Sequence, residues 1–153
     1  MKALELRLPP PAVAVVAAVL MWFVAARTPA FSFDLPGHTL IAVAFACAGA
    51  LVTISGLIEF HRARTTVNPL KPDSASALVT RGVYRVTRHP MYVGMAIILV
   101  GWATFLANVA ALVGIAVFGW YIDRFQIAPE ERALAALFGT EFEAYRRDVR
   151  RWL

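Results

Sequence analysis

Four apolar stretches, at residues 9–26, 40–60, 90–107 and 109–125, dominate this chain of 153 residues. A segment that crosses a bilayer as a helix needs roughly 17–25 predominantly apolar residues. The second stretch meets that length easily, the first and third lie near its lower edge, and the fourth is short. Hydrophobic residues make up 59% of the chain and charged residues 16%, against about 45–50% and about 25% in a soluble domain. The excess sits in runs, which predicts an all-α integral membrane protein: a bundle of about four transmembrane helices forming a single domain. Asn108 is nearly all that separates the third and fourth runs, so they read as a tight helical hairpin. The single cysteine, Cys47, lies inside an apolar run, which excludes an intramolecular disulfide and a cysteine-rich metal site.

The basic residues are strongly partitioned. Lys2 and Arg7 precede the first run, and only Arg27 separates the first from the second. Arg62, Arg64, Lys71, Arg81, Arg85 and Arg88 fall between the second and third, and Arg124, Arg132, Arg146, Arg147, Arg150 and Arg151 lie at or beyond the end of the fourth. The positive-inside rule then places both termini and the 61–89 loop in the cytoplasm, with the bacterial inner membrane as the expected location. The net charge of +5 is explained by topology and contact with anionic membrane lipid, with no nucleic-acid partner required. Lys2 and Arg7 also resemble the start of a secretory leader, but the first run exceeds the usual apolar core of about 7–15 residues and is read as a spanning helix.

Two polar segments share the cytoplasmic side. The 61–89 loop contains "TTVNPLKPDSAS", rich in turn formers. In the tail, 128–153, Pro129 suits the first turn of a helix, with Glu130 and Glu131 beside it and Gly139 as its C-cap. "TEFE", Thr140 to Glu143, reads as a capping box opening a second helix. Phe142, Tyr145, Val149 and Trp152 share one face of it, as expected of an interfacial helical segment.

The stretch "GVYRVTRHPMYVG", Gly82 to Gly94, places arginines, tyrosines and a histidine at the mouth of the third run. Pro90 suits a helix start, where free N–H groups and the dipole favour an anion. Gly94 and Gly101, seven residues apart, permit close approach of a neighbouring helix. Two readings stay open: headgroup anchoring by Arg85, Arg88 and the tyrosines, or a pocket of both charge signs. Glu130 and Glu131 complement a helix dipole or present a carboxylate to a ligand. Glu59, ending the second run, is expected to snorkel to the interface or to pair with Arg62. Asp123 and Arg124 pair with each other or mark a pocket wall. His61 and His89 lack further ligands at metal-binding spacing, so no metal site is read.

"LVTRGVYRVTRHPMYVG", followed after a hydrophobic hairpin by "PEERALAALFGTEFEAYRRDVRRWL", resembles the isoprenylcysteine carboxyl methyltransferase family, which is related to phospholipid N-methyltransferases. The resemblance runs from about Thr65 to Leu153, and rests on RHPxY and EE elements in this order around a hairpin. It implies a membrane enzyme that uses S-adenosylmethionine and leaves S-adenosylhomocysteine. By the family pattern Ser76, Ala77, Leu78 and Val79, then Tyr84, Arg88, His89, Pro90, Met91 and Tyr92, and then Glu130 contact that cofactor, with Asn68 near it. The eukaryotic carboxyl methyltransferases carry a substrate-binding arginine shortly before EE. Here Gln126 holds that position, with Arg124 a half-turn away, so an isoprenylcysteine carboxylate is not assured as substrate.

Methyl transfer is an in-line displacement at an already activated sulfonium carbon, so the protein mainly positions the acceptor and shields the site. A carboxylate acceptor needs no general base, whereas an amine or thiol must first lose its proton, and no catalytic base is legible. The leading expectation is methylation of a lipophilic small molecule or lipid. The alternatives are a methyltransferase for a small thiol or amine, and a non-enzymatic membrane scaffold.

Overall fold

A computed structural model describes residues 5–63 and 76–153, and every described element is helical. Helix α1 spans Pro10–Arg27, α2 His38–Arg62, α3 Pro90–Leu106, α4 Val113–Ile122 and α5 Ala128–Asp148. Proline stands at the start of α1, α3 and α5, where its missing N–H leaves no intrahelical bond unmade. Pro10–Arg27, His38–Arg62 and the continuous helical run Val109–Asp148 are each long and apolar enough to cross a membrane, and Pro90–Leu106 is a shorter apolar helix of 17 residues. The protein is an all-α membrane bundle.

Helix α3 is the centre of the molecule. Val13, Ala17 and Met21 of α1 join Tyr92, Leu99 and Ala103 of α3 and Phe118 and Ile122 of α4 in one buried cluster. On its other side α3 meets α2 through glycines. A Cβ on Gly94 would collide with Thr53 and the Gly49 carbonyl, and one on Gly101 would stand 2.8 Å from the Ala42 carbonyl. Backbones this close gain dispersion contacts where lipid supplies no hydrophobic drive. The expected role of Gly94 and Gly101 is therefore realised, with Gly49 as a partner that the spacing argument did not single out. Many large apolar side chains, among them Val15, Leu40, Leu51 and Trp120, face outward, as a lipid-facing surface requires.

The fourth apolar run does not stop before the tail. A π-helical turn, Asp123–Ile127, carries α4 directly into α5. Pro129 has no N–H for the carbonyl of Phe125 four residues back. The backbone N–H of Leu6 fills that place at 3.0 Å, and the Gln126 amide donates to the Leu8 carbonyl at 2.6 Å. The N-terminal segment thus satisfies backbone that proline would leave orphaned. Farther on, Gly139 breaks α5 with φ 49° and ψ −121°, a conformation that favours glycine. Gly139 interrupts the helix where a C-cap is expected, though its ψ is not that of a left-handed cap, and the capping box does not form. Among the described residues Thr140 and Glu143 share no hydrogen bond, and Glu143 pairs with Arg146 at 3.5 Å. Salt-bridge geometry one turn apart on the helix surface wins over the cap.

Candidate active site

The residues of the RHPxY stretch gather at the start of α3 and meet the first turn of α5. Thr87 and His89 are buried, and the Thr87 hydroxyl accepts from the His89 N–H at 3.2 Å, fixing the approach to the helix. The His89 ring lies nearly parallel to that of Tyr92, with centroids 5.6 Å apart and planes at 11°. Its two nitrogens face two carboxylates: Nδ1 is 3.8 Å from Glu130 and Nε2 is 3.4 Å from Glu131. The Tyr92 hydroxyl donates to Glu130 at 3.0 Å.

The two adjacent glutamates have opposite environments. Glu131 is buried and saturated. Arg88 donates to it through Nη2 at 2.8 Å and Nε at 3.1 Å, and Arg151 through Nη2 at 2.5 Å and Nε at 3.3 Å. Burial alone would raise its pKa, but the hydrogen bonds from His89, Arg151 and Arg88 overcome that and hold the carboxyl well below its ordinary range. Glu130 lies half-buried beside it, beyond the apolar part of the run. One of its oxygens is held by Tyr92, and among the described residues the other accepts no hydrogen bond. Burial pushes the Glu130 carboxyl up, the charge on Glu131 adds to this, and His89 and Tyr92 offset only part. Glu130 is an acceptor with capacity to spare, next to aromatic faces.

Arg88 joins the loop to the tail as well as to Glu131. Its guanidinium donates to the carbonyls of Arg146, at 3.1 Å, and Val149, and its backbone N–H donates to Arg150 at 3.0 Å. Tyr84 is buried between the two halves. The edge of its ring meets Phe60 with centroids 5.5 Å apart, and its carbonyl accepts from Tyr145 at 2.7 Å. Burial, and then the charge on Glu130, push its hydroxyl far above the ordinary tyrosine range. Pro90 and Met91 pack beside Gly56. Ala77, Leu78 and Val79 line a cavity of about 490 Å³ with Glu59, Arg62 and Gly82, while Ser76 lies exposed at the start of that segment. Glu59 pairs with Arg62 at 2.8 Å, as its position predicts. Asn68 lies outside the described residues.

Other sequence expectations are redistributed. Asp123 pairs with Arg151 at 3.0 Å rather than with Arg124, which is exposed. Successive residues on a helix point in different directions, so neighbours in sequence do not pair there. Gln126 is fully buried; its Nε2 donates to the N-terminal segment, while its Oε1 has no hydrogen-bond partner among the described residues. The apolar face of the tail packs inward, with Phe142 fully buried. The sequence reading missed Arg151, Trp152 and Thr87. The periodic face ending at Trp152 was the one signal that the last residues dock against the bundle.

Residues 38–141 match the phospholipid methyltransferase family. The chain belongs to this family. It is 29% identical over 125 residues to the protein-S-isoprenylcysteine O-methyltransferase of Schizosaccharomyces pombe, covering 80% of this chain and 53% of that one. It is 33% identical over 101 residues to protein-S-isoprenylcysteine O-methyltransferase A of Arabidopsis thaliana, covering 66% of this chain and 51% of that one. An uncharacterized Haemophilus influenzae protein is 43% identical over 63 residues, 41% of this chain and all of that one. The chain thus spans about half the length of these two eukaryotic relatives. The family match takes in the whole RHPxY stretch and both glutamates.

Proposed function

We propose that this protein is a membrane methyltransferase that uses S-adenosylmethionine and methylates a lipophilic acceptor. Glu130 carries the reading: a half-buried carboxylate, pushed up in pKa and with one oxygen unpaired among the described residues, beside the stacked rings of His89 and Tyr92. A ligand with a cationic and hydroxyl-bearing surface relieves that carboxylate, and aromatic faces attract a sulfonium. The bound cofactor would supply an activated methyl group. The chain's own part is to hold it through Glu130, Tyr92 and His89, with Tyr84 and the 76–79 segment alongside, and to exclude water from the transfer. Arg88 would contribute by fixing the loop, since its donors are spent on Glu131 and tail carbonyls. The test is titration of the detergent-purified protein with S-adenosylhomocysteine by calorimetry. Saturable binding that Glu130→Gln weakens supports the reading, and its absence in the wild type favours a scaffold.

The acceptor is the finer question. Relatives named as isoprenylcysteine O-methyltransferases favour an apolar acceptor bearing a carboxylate. Gln126 favours a different one, because a neutral amide already donating to Leu8 cannot supply the paired, charged recognition that arginine gives a carboxylate. We favour a lipophilic acceptor other than a farnesylated cysteine. Methyl transfer to a farnesylated cysteine analogue by wild type, Arg124→Ala and Gln126→Arg decides it. Negligible wild-type turnover with a gain in Gln126→Arg supports the proposal, and efficient wild-type turnover lost in Arg124→Ala overturns it. Cytoplasmic termini in an inner membrane follow from the charge partition. A reporter fused at Gly37, where φ is +74° and no neighbour lies within 4 Å of an added Cβ, should read as external.

A further inference from the structure

We infer that Arg151 is a positioning residue for this pocket, acting through Glu131 on His89. The inference takes from the proposed function only the identity of what the pocket holds. The chain leaves α5 at Val149 in extended backbone, φ −121° and ψ 134°. It then runs along the segment preceding α3. The Arg150 carbonyl accepts from the Arg88 N–H and the Arg151 carbonyl accepts from the Thr87 hydroxyl, each at 3.0 Å. These bonds involve backbone atoms of the tail and do not depend on which side chain stands at 151.

They deliver the Arg151 guanidinium between two carboxylates. One edge takes Glu131, and Nη1 takes Asp123 of the π-helical turn at 3.0 and 3.3 Å. Trp152 donates to the same Asp123 at 3.4 Å. A planar fork can span two carboxylates in this way, whereas an ammonium is a single point charge. Within Glu131 the work is divided. Arg88 reaches Oε1 only, whereas Arg151 reaches Oε1 through Nε at 3.3 Å and is the partner of Oε2 through Nη2 at 2.5 Å. His89 faces Oε1, and on its other side faces Glu130. Without Arg151, Oε2 has no partner among the described residues and the carboxylate can pivot about Oε1, which Arg88 still holds, changing the direction from which Oε1 meets the His89 ring. Arg151 enters from the rim, one third exposed, while Arg88 is 8% exposed. Its removal leaves Glu131 still paired with Arg88, so the bundle survives the change.

The experiment compares full-length wild type, Arg151→Gln and Arg151→Lys in detergent, with three readouts: His89 ring-nitrogen resonances without ligand, S-adenosylhomocysteine affinity, and thermal midpoint. Arg151→Gln should shift the His89 resonances and weaken affinity about tenfold, the scale of one charge-assisted hydrogen bond, with little change in midpoint. Arg151→Lys should restore part of both. Unchanged His89 resonances in Arg151→Gln overturn the inference, as does an affinity loss that merely follows a fall in midpoint. If wild type fails to bind while Arg151→Gln still shifts His89, positioning stands and the cofactor reading falls. If wild type binds and His89 does not respond, the reverse holds.

Discussion

The two ends of α3 are both built on buried polar groups, yet they are finished differently. At the far end Asn108 is 1% exposed and its amide is fully used: Nδ2 donates to Thr28 at 2.9 Å and Ser32 at 3.0 Å, and Oδ1 accepts from Ala110 at 2.9 Å. A bridge between Ser32 and Asn108 closes the same junction. At the near end Glu131 is just as fully paired, but Glu130 beside it has an oxygen without a hydrogen bond among the described residues and a raised pKa. Saturated polar clusters fix a fold, and an unsaturated one retains interaction energy for a ligand. The far end has the chemistry of a joint, and the near end that of a joint with a site attached.

The sharpest way to break this contrast is Glu131→Ala. It strands Arg88, largely buried, beside Arg151, and should cost about 3–5 kcal/mol of stability, read as a large drop in thermal midpoint in detergent. A small drop would mean that the near end is no joint at all. Glu130→Gln should leave the midpoint nearly unchanged while weakening S-adenosylhomocysteine binding by about 1.5–3 kcal/mol. Calorimetry checks this, and equal small effects at 130 and 131 would reduce both to helix-dipole partners. Asn108→Ala should cost about 1–3 kcal/mol and leave binding intact, so a change in affinity there would erase the distinction between the ends.

The smallest effect is the dependence of stability on pH. Glu131 has a folded pKa below its unfolded value, so its contribution is complete above the ordinary carboxylate range and is lost as pH falls through the folded value. Glu130 has a folded pKa above its unfolded value, so its ionisation costs stability as pH rises through that interval. Midpoints measured across the acid range should therefore show Glu131→Gln flattening the loss at low pH. Glu130→Gln should instead remove the small loss on the rise toward neutrality, within the near-constant midpoint expected of that variant.

Much of the scaffold was legible in the residues. Pro90 marked the start of α3, Gly94 and Gly101 marked its contact with α2, and Glu59 sat one turn from Arg62. These are local signals, set by helical period and by what proline and glycine can do. The near end was half legible: RHPxY and the glutamate pair announced a site, but nothing local said which glutamate would be saturated. The dipole argument treats Glu130 and Glu131 alike. Only their different directions around α5 separate them.

The sequence by itself determined an all-α membrane bundle, the faces on which its helices meet, and the end at which charge collects. These follow from hydrophobicity, period and steric limits, all of which act between near neighbours. The tertiary structure decided the partners. Fifteen basic and ten acidic residues admit many pairings, and distance in space selects among them. Arg151 takes Glu131 and Asp123 across 20 and 28 positions. The Gln126 amide nitrogen takes the Leu8 carbonyl across 118 positions. Hydrogen bonds reach only about 3 Å, so such choices are made by folding and cannot be written in the spacing of the chain.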